Sequence, residues 1–436
     1  MTIVKASDLI NEFGDNSIQV VRVGYFEKQP NLEKDSYQTN LSAFIFPISG
    51  LAKIQFDDEI YVAEPGKVIH GCQNKQISFN VLGNEKFKRR FFILLLSLIV
   101  VLIISVILSV SVGSLKIQPS VSYRILINKL LGITIGDQSE LIGNANYNII
   151  WMIRFPRVLL AIIVGAGLSL CGTIMQATVQ NPLAEPYILG ISSGASLGAT
   201  FSIMLGIGSF NLLSMQGTSF WAFLGALISA AMVLLLASFG SKISSAKLVL
   251  SGTVVNALCN ALSNFIISIA SNAEGMQTVK FWTMGSLAGA NWGNILFPSV
   301  VVILCCIFFI IQSRTLNVLL MGDESAITLG INLNFYRKLY MIITSLLTGV
   351  LVSVCGIIGF VGLIIPHIVR SLVGSDHKKL TPVSILLGSI FMIWADVFAR
   401  TLIPNSELSI GIITALVGAP FFVYILLRRG YGFGDK

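Results

Sequence analysis

Apolar stretches of membrane-crossing length recur along most of this chain, at residues 91–113, 155–175, 187–206, 219–239, 248–270, 294–312, 339–356, 359–373, 380–399 and 408–427. A transmembrane helix needs about 20 mostly apolar residues. The first 88 residues follow a different rhythm. Between Ala43 and Val81 the runs AFIFPI, AKIQF, EIYVA, KVIH and ISFNV alternate with turn signals at Ser49-Gly50, Asp57-Asp58, Pro65-Gly66 and Gly71. That spacing predicts a small antiparallel β unit. The pattern as a whole predicts an all-α polytopic membrane protein of about ten transmembrane helices, residues 89–436, behind a small β-rich cytoplasmic domain, residues 1–88. Lys86-Phe87-Lys88-Arg89-Arg90 joins the two.

One stretch departs from simple spans. From Arg154 to Ala195 the chain places two arginines, Arg154 and Arg157, at the mouth of an apolar helix with small residues at Gly165 and Gly172. A polar break bracketed by prolines follows, Asn181-Pro182-Leu183-Ala184-Glu185-Pro186, and a second apolar span begins at once. Lipid cannot satisfy such backbone, so the break must pack inside protein or line a cavity.

Composition agrees with a membrane protein. The 436 residues are 54% hydrophobic and 11% charged, where a soluble domain carries roughly 25% charged residues. The net charge of +8 does not indicate nucleic acid, because the basic residues lie in short clusters beside the apolar spans. With the N-terminal unit in the cytoplasm, the inner loops hold about twice as many Lys and Arg as the outer ones, and an even number of spans puts both termini inside. Five of six cysteines (Cys171, Cys259, Cys305, Cys306, Cys355) fall within predicted spans, and with Cys72 they read as small apolar residues. The chain has no GxxxxGK[ST] phosphate cradle, no HExxH and no GxSxG, so it is expected not to be an enzyme and to hold no metal or cofactor of its own.

The strongest signal between spans is NVLLMGDESAITLGINL. Gly322 breaks the chain, and Asp323-Glu324-Ser325 offers a helix start with acidic groups at the positive dipole end. Ala326 to Leu329 continues it, Gly330 stops it, and Asn332 follows. Ser251, Thr253, Asn256, Asn260, Ser263 and Asn264 recur near helical spacing within 248–270, as pathway lining or as polar groups joining helices. Asp396 and Arg400 are one helical turn apart and suited to pair. Pro366 is expected to break its helix, and His367 to pack rather than to bind substrate.

RFPR, Gln176, NPLAEP, LGISSGA, FWTMGSL, MGDESAITLGIN, GIIGFVGLIIPHIVR, DVFAR and GIITALVGAPFF occur in this order. Together they closely resemble the permease subunits of type II ABC importers that take up iron chelates (siderophores, haem) and vitamin B12. The resemblance covers roughly residues 90–430. It implies the type II importer permease fold in the cytoplasmic membrane. It also implies a pathway at the centre of a homodimer or of a pair with a close paralogue. It further implies two separate ATPase subunits that carry ATP and Mg, and an extracytoplasmic substrate-binding protein that delivers the cargo. Arg154, Arg157 and Arg400 then resemble exposed outer arginines that pair with glutamates on the binding protein. Gly322–Asn332 resembles the segment that sits in a cleft of each ATPase, and Ser244, Ser245 and Ala246 the inner gate. A ferric siderophore is the expected cargo, with haem or a corrinoid as the alternative. Glu407-Leu408-Ser409-Ile410-Gly411 lacks the proline usual in this family, which loosens the expected outer loop. Within 1–88, GLAKIQFDDEIYVAEPGKVIHG resembles half of a cupin-like sensor domain of AraC-type regulators, with His70 read as structural; a membrane-tethered ligand sensor is the reading of another class.

Overall fold

In a computed structural model of the chain, described residues comprise six short strands between residues 35 and 81 and the helical part from Glu85 to Arg428, apart from residues 114, 116, 134, 136–144, 187–189, 208–216, 240–244, 271 and 405. The strands are β1 (Asp35–Gln38), β2 (Ala43–Ile45), β3 (Ala52–Phe56), β4 (Glu59–Ala63), β5 (Ile69–Gly71) and β6 (Gln76–Val81). Antiparallel pairing gives a four-stranded sheet in the order β1-β6-β3-β4 and a separate β2-β5 pair, in which His70 stands opposite Phe44. The turn signals at Ser49-Gly50, Asp57-Asp58 and Pro65-Gly66, and Cys72, lie outside the described residues.

The first helix, α1 (Glu85–Ser111), starts early enough to take in Lys86–Arg90, so the basic cluster is its first turns rather than a linker. Then come α2 (Pro119–Leu131), α3 (Ala145–Thr178), α4 (Ile191–Leu205), α5 (Gly217–Ser238), α6 (Ser245–Ala270), α7 (Ala273–Thr283), α8 (Trp292–Ile311), α9 (Ser313–Leu319), α10 (Asp323–Thr328), α11 (Leu333–Cys355), α12 (Val361–Val373), α13 (His377–Thr401) and α14 (Ile410–Arg428). Among the described residues seven helices are long and apolar enough to cross a membrane (α1, α3, α5, α6, α8, α11, α13), and α4, α12 and α14 are shorter apolar helices.

The core is built around α3. Every residue from Val164 to Thr178 is buried, as expected of a helix that is apolar on all sides. It packs against α8, α11, α12 and α13. Two glycines permit this closeness. A side chain at Gly165 would collide with the Gly388 carbonyl of α13, and one at Gly172 with the Gly362 carbonyl of α12. Small residues let helix backbones approach where no hydrophobic drive acts between helices in lipid. A second group, α4, α5 and α6, packs against α11.

Pro366 does not break α12, which runs from Val361 to Val373. A proline removes the N–H that would bond the carbonyl four residues earlier, here Gly362. Gln176 Nε2 of α3 donates to that carbonyl at 3.3 Å and to Leu363 O at 3.5 Å. The neighbouring helix supplies the missing donor, and the helix continues. The segment before α14 is also held firmly without the family's proline: Leu408 N donates to Ala399 O (2.9 Å) and Gly411 N to Met284 O (3.2 Å).

Gly172→Val should destabilise the protein by about 1–3 kcal/mol through overpacking against α12. Gly289→Ala, where a side chain meets open space, should stay within about 0.5 kcal/mol. Thermal unfolding of both variants in detergent checks the difference, and equal shifts would contradict the packing described.

Candidate functional site

The buried rod α3 carries a polar cluster at each end. At its start the helix widens into a π-helical segment, Ile149–Arg154, a feature frequent at functional sites. Arg154, at the end of this segment, donates to the carbonyls of Val110 (2.9 Å), Ser111 (3.1 Å) and Leu115 (2.5 Å). Those groups lie at and beyond the end of α1, where helical carbonyls lack partners. Arg157 Nε donates to Asp396 Oδ1 at 2.8 Å, and its Nη1 to Glu407 Oε2 at 2.9 Å. Arg400 Nε stands 2.9 Å from Asp396 Oδ2, paired in charge though out of line for a hydrogen bond. Arg400 also donates to Val112 O (3.0 Å) and to Ser109 Oγ (3.1 Å). The pairing of Asp396 with Arg400 over one turn is therefore present.

The expectation that these arginines stand exposed does not hold. Arg154 and Arg157 are buried, and the guanidinium-bearing side chain of Arg400 is only 6% exposed. Arg157 and Arg400 share Asp396, Arg157 also holds Glu407, and Arg154 is satisfied by carbonyls at and just beyond the end of α1. Burial without such partners would be costly. Of the two acids only Glu407 opens to the surroundings, with half of its side chain exposed.

At the other end, α3 stops at Gln180, which adopts a left-handed φ of 52°. The break that follows is folded on itself: Leu183 N donates to Asn181 Oδ1 (2.9 Å) and Ala184 N to Asn181 O (3.0 Å). Asn mimics a backbone turn in this way. Glu185 is buried, and its Oε1 accepts the backbone N–H of Phe360 at 2.8 Å, just where α12 begins. Burial pushes its carboxyl up to about 7, against the downward pull of the Phe360 N–H. Arg370 of α12 donates to Gln176 Oε1 at 2.9 Å. The break thus packs inside protein, tied by Glu185 to the start of α12, while the end of α3 just before it is tied to α12 through Gln176.

Beside it lies the 322–332 segment. Gly322 (φ 99°) and Gly330 (φ 77°) bound α10, which holds Asp323, Glu324, Ser325 and Ala326. Leu329 belongs to the closing turn rather than to the helix, since Ile331 N bonds Ala326 O (3.0 Å) and Gly330 N bonds Ile327 O (2.9 Å). This is the Schellman arrangement that a left-handed glycine permits. Asn332 caps α11 by accepting from Phe335 N at 3.2 Å. Asp323 does more than start a helix: Arg337 of α11 grips both of its oxygens, at 2.9 and 2.6 Å, and Gln180 Nε2 donates to Oδ1 at 2.9 Å.

The α6 positions divide. Ser251 and Ser263 are buried among neighbouring helices, Asn256 is half-buried, and Asn260 and Asn264 are exposed, with Asn260 donating to Asn256 Oδ1 at 3.1 Å. The serines therefore do not share the open face with the asparagines. Ser244 lies outside the described residues; Ser245 opens α6 and Ala246 follows it, exposed. His367 is half-buried and meets the edge of Phe421, with ring centroids 6.1 Å apart. Sequence reasoning missed Glu185 as a cap and the partners Arg337, Gln180 and Glu407. Each is remote in sequence from the group it serves, and only the unexplained acid inside NPLAEP could have signalled one of them.

The Glu185 carboxyl binds its proton more tightly in the fold than in the unfolded chain, whose ordinary value is 4.5. Between about pH 4.5 and 7 the native state holds the extra proton, so stability falls as pH rises through that window. The loss is on the order of 3 kcal/mol. Comparing unfolding of wild type and Glu185→Gln across that range checks it, with a flatter profile expected for the variant. In parallel, Asp396→Asn should cost about 3–5 kcal/mol by leaving Arg157 and Arg400 short of a counter-charge.

Residues 101–428 match the FecCD transport family. The chain is 38% identical to the Hemin transport system permease protein HmuU of Yersinia pestis, over 64% of this chain and 84% of that one. It is 39% identical to the Uncharacterized ABC transporter permease protein YvrB of Bacillus subtilis, over 76% and 92%. With the Vitamin B12 import system permease protein BtuC of Salmonella paratyphi A the identity is 36%, over 71% and 94%. A solved inward-facing conformation of a metal-chelate type ABC transporter superposes with a TM-score of 0.64 and 32% identity, over 77% of this chain and 98% of that one. By this match along three quarters of its length, the chain belongs to the FecCD transport family of ABC transporter permeases.

Proposed function

We propose that this chain is the membrane-spanning subunit of an ATP-driven importer that carries a metal chelate across the cytoplasmic membrane by alternating access. The observation that carries the reading is a single buried rod, α3, with a basic cluster at one end and the glycine-bounded segment 322–332 pinned beside its other end. In this reading ten apolar helices span the bilayer and both termini are cytoplasmic. Two copies, or a copy and a close paralogue, enclose the pathway, with Asn256, Asn260 and Asn264 of α6 facing it and Ser244, Ser245 and Ala246 forming the inner gate. Two ATPase subunits, holding ATP and Mg, seat segment 322–332. The part of residues 1–88 ahead of α1 is read as a cupin-like β unit in the cytoplasm, a reading supported by the paired strands between residues 35 and 81.

The arginine cluster receives the extracytoplasmic binding protein by exchange. Three guanidiniums cluster around two carboxylates, Arg154 bonding only carbonyls, and Glu407 is half exposed, so an incoming glutamate displaces Glu407 from Arg157. Charged groups so placed set orientation and rate of association more than affinity. A ferric siderophore is our first reading for the cargo. The hemin and vitamin B12 systems among the relatives favour a second, a metal-centred macrocycle.

Co-expression with a candidate ATPase pair, reconstitution in liposomes and addition of the loaded binding protein test the scheme. The expected result is ATP hydrolysis stimulated by the binding protein together with uptake of one probe among ferrichrome, haemin and cobalamin. Uptake by the chain alone, without nucleotide, would contradict it. Glu407→Gln should raise the association rate of the binding protein a few-fold at low salt, an effect that salt suppresses; an unchanged rate would remove the exchange mechanism.

A further inference from the structure

Resting on the reading of 322–332 as the ATPase seat, we infer that Gln180 and Arg337 form the joint that makes this segment and the polar break 181–186 move as one body. α10 meets the core through the buried Ala326. It is six residues long and hangs between two left-handed glycines, Gly322 and Gly330. The preceding α9 is fixed elsewhere: Asn317 donates to Asp376 Oδ1 (2.8 Å) and accepts from His377 N (2.8 Å), which ties α9 to α13. Beyond the seat of Ala326, what fixes the start of α10 is the grip on Asp323, its first residue.

That grip is three hydrogen bonds from two side chains. Arg337, buried in α11, holds both Asp323 oxygens, and its Nε reaches the carbonyl of Thr178, the last residue of α3, at 3.2 Å. Gln180 Nε2 bonds Asp323 Oδ1 (2.9 Å) and Leu319 O (2.8 Å). Thr178 and Gln180 lead directly into Asn181, where the break begins. The break is internally braced by Asn181 and fastened at its far end by Glu185 to the start of α12. A displacement of α10 thus passes through two side chains into the break.

Stability accounts for only part of this arrangement. Arg337 is 3% exposed and needs a partner for its charge, but Asp323 keeps 46% of its side chain exposed, and Gln180 adds a hydrogen bond that neutralises no charge. Yet the group is gripped from two elements in fixed geometry, as a positioning device needs. Gln180 and Arg337 are positioning residues, acting through Asp323 and the break rather than on cargo or nucleotide.

The test uses the permease–ATPase complex in nanodiscs, with Leu183→Cys in the break as reporter. Labelling by a membrane-impermeant maleimide is measured with and without ATP and vanadate, after subtraction of the parent's own cysteines. In the otherwise unaltered chain nucleotide should change the labelling rate by about tenfold. Gln180→Met keeps the volume but removes the donors. It should reduce that change below about twofold while ATP hydrolysis, ATPase capture and the unfolding temperature stay as they were. Arg337→Lys keeps the charge but loses the fork, and should act in the same direction. A nucleotide response retained in Gln180→Met overturns the joint and leaves the ATPase seat standing. Loss of ATPase capture in Gln180→Met also overturns it, since Gln180 would then belong to the docking surface. Failure of the unaltered chain to bind the ATPase overturns the seat itself.

Discussion

The complete burial of the second half of α3 is the constraint on which the other features depend. A helix enclosed over its last fifteen residues, Val164 to Thr178, cannot leave polar groups unpartnered at its ends, because neither lipid nor packed side chains can satisfy them. The chain meets this requirement from within. At one end Arg154 and Arg157 find α1 carbonyls, Asp396 and Glu407. At the other, Gln176 and Thr178 reach α12 and Arg337. The glycines at 165 and 172 bring α13 and α12 close enough to supply those partners.

The same constraint gives the fold its frame. The rod is fastened by hydrogen bonds at both ends. Its two ends differ in kind. The arginine end carries excess positive charge with one half-exposed acid, Glu407. At the other end α10, α11, α12 and the NPLAEP break converge within a few hydrogen bonds. Such a junction behaves as a two-state element when its members shift together.

Local features of this design were legible in the sequence. Glycines at 322 and 330 bracket a helix because φ beyond 60° excludes most other residues there. Asp396 and Arg400 pair because a helical turn sets them side by side. The polar break at 181–186 announces burial because lipid rejects it. What could not be read was pairing across the fold. Arg157 meets Asp396 and Glu407 some 239 and 250 residues away, and periodicity says nothing of such partners. Hence three arginines expected to be exposed are enclosed. Pro366 misled for the same reason, since its continuity depends on Gln176, 190 residues earlier in the chain. On α6 the spacing of Ser251 and Ser263 suited a pathway, but burial against neighbouring helices decided their side.

Hydrogen exchange of the chain in nanodiscs tests the central role of α3 most directly. Amides from Val164 to Thr178 should be the slowest in the molecule and exchange only with global unfolding, while those of α6, which has one side open, exchange by smaller openings. Exchange in α3 as fast as in α6 would mean that the rod is not the frame of this protein.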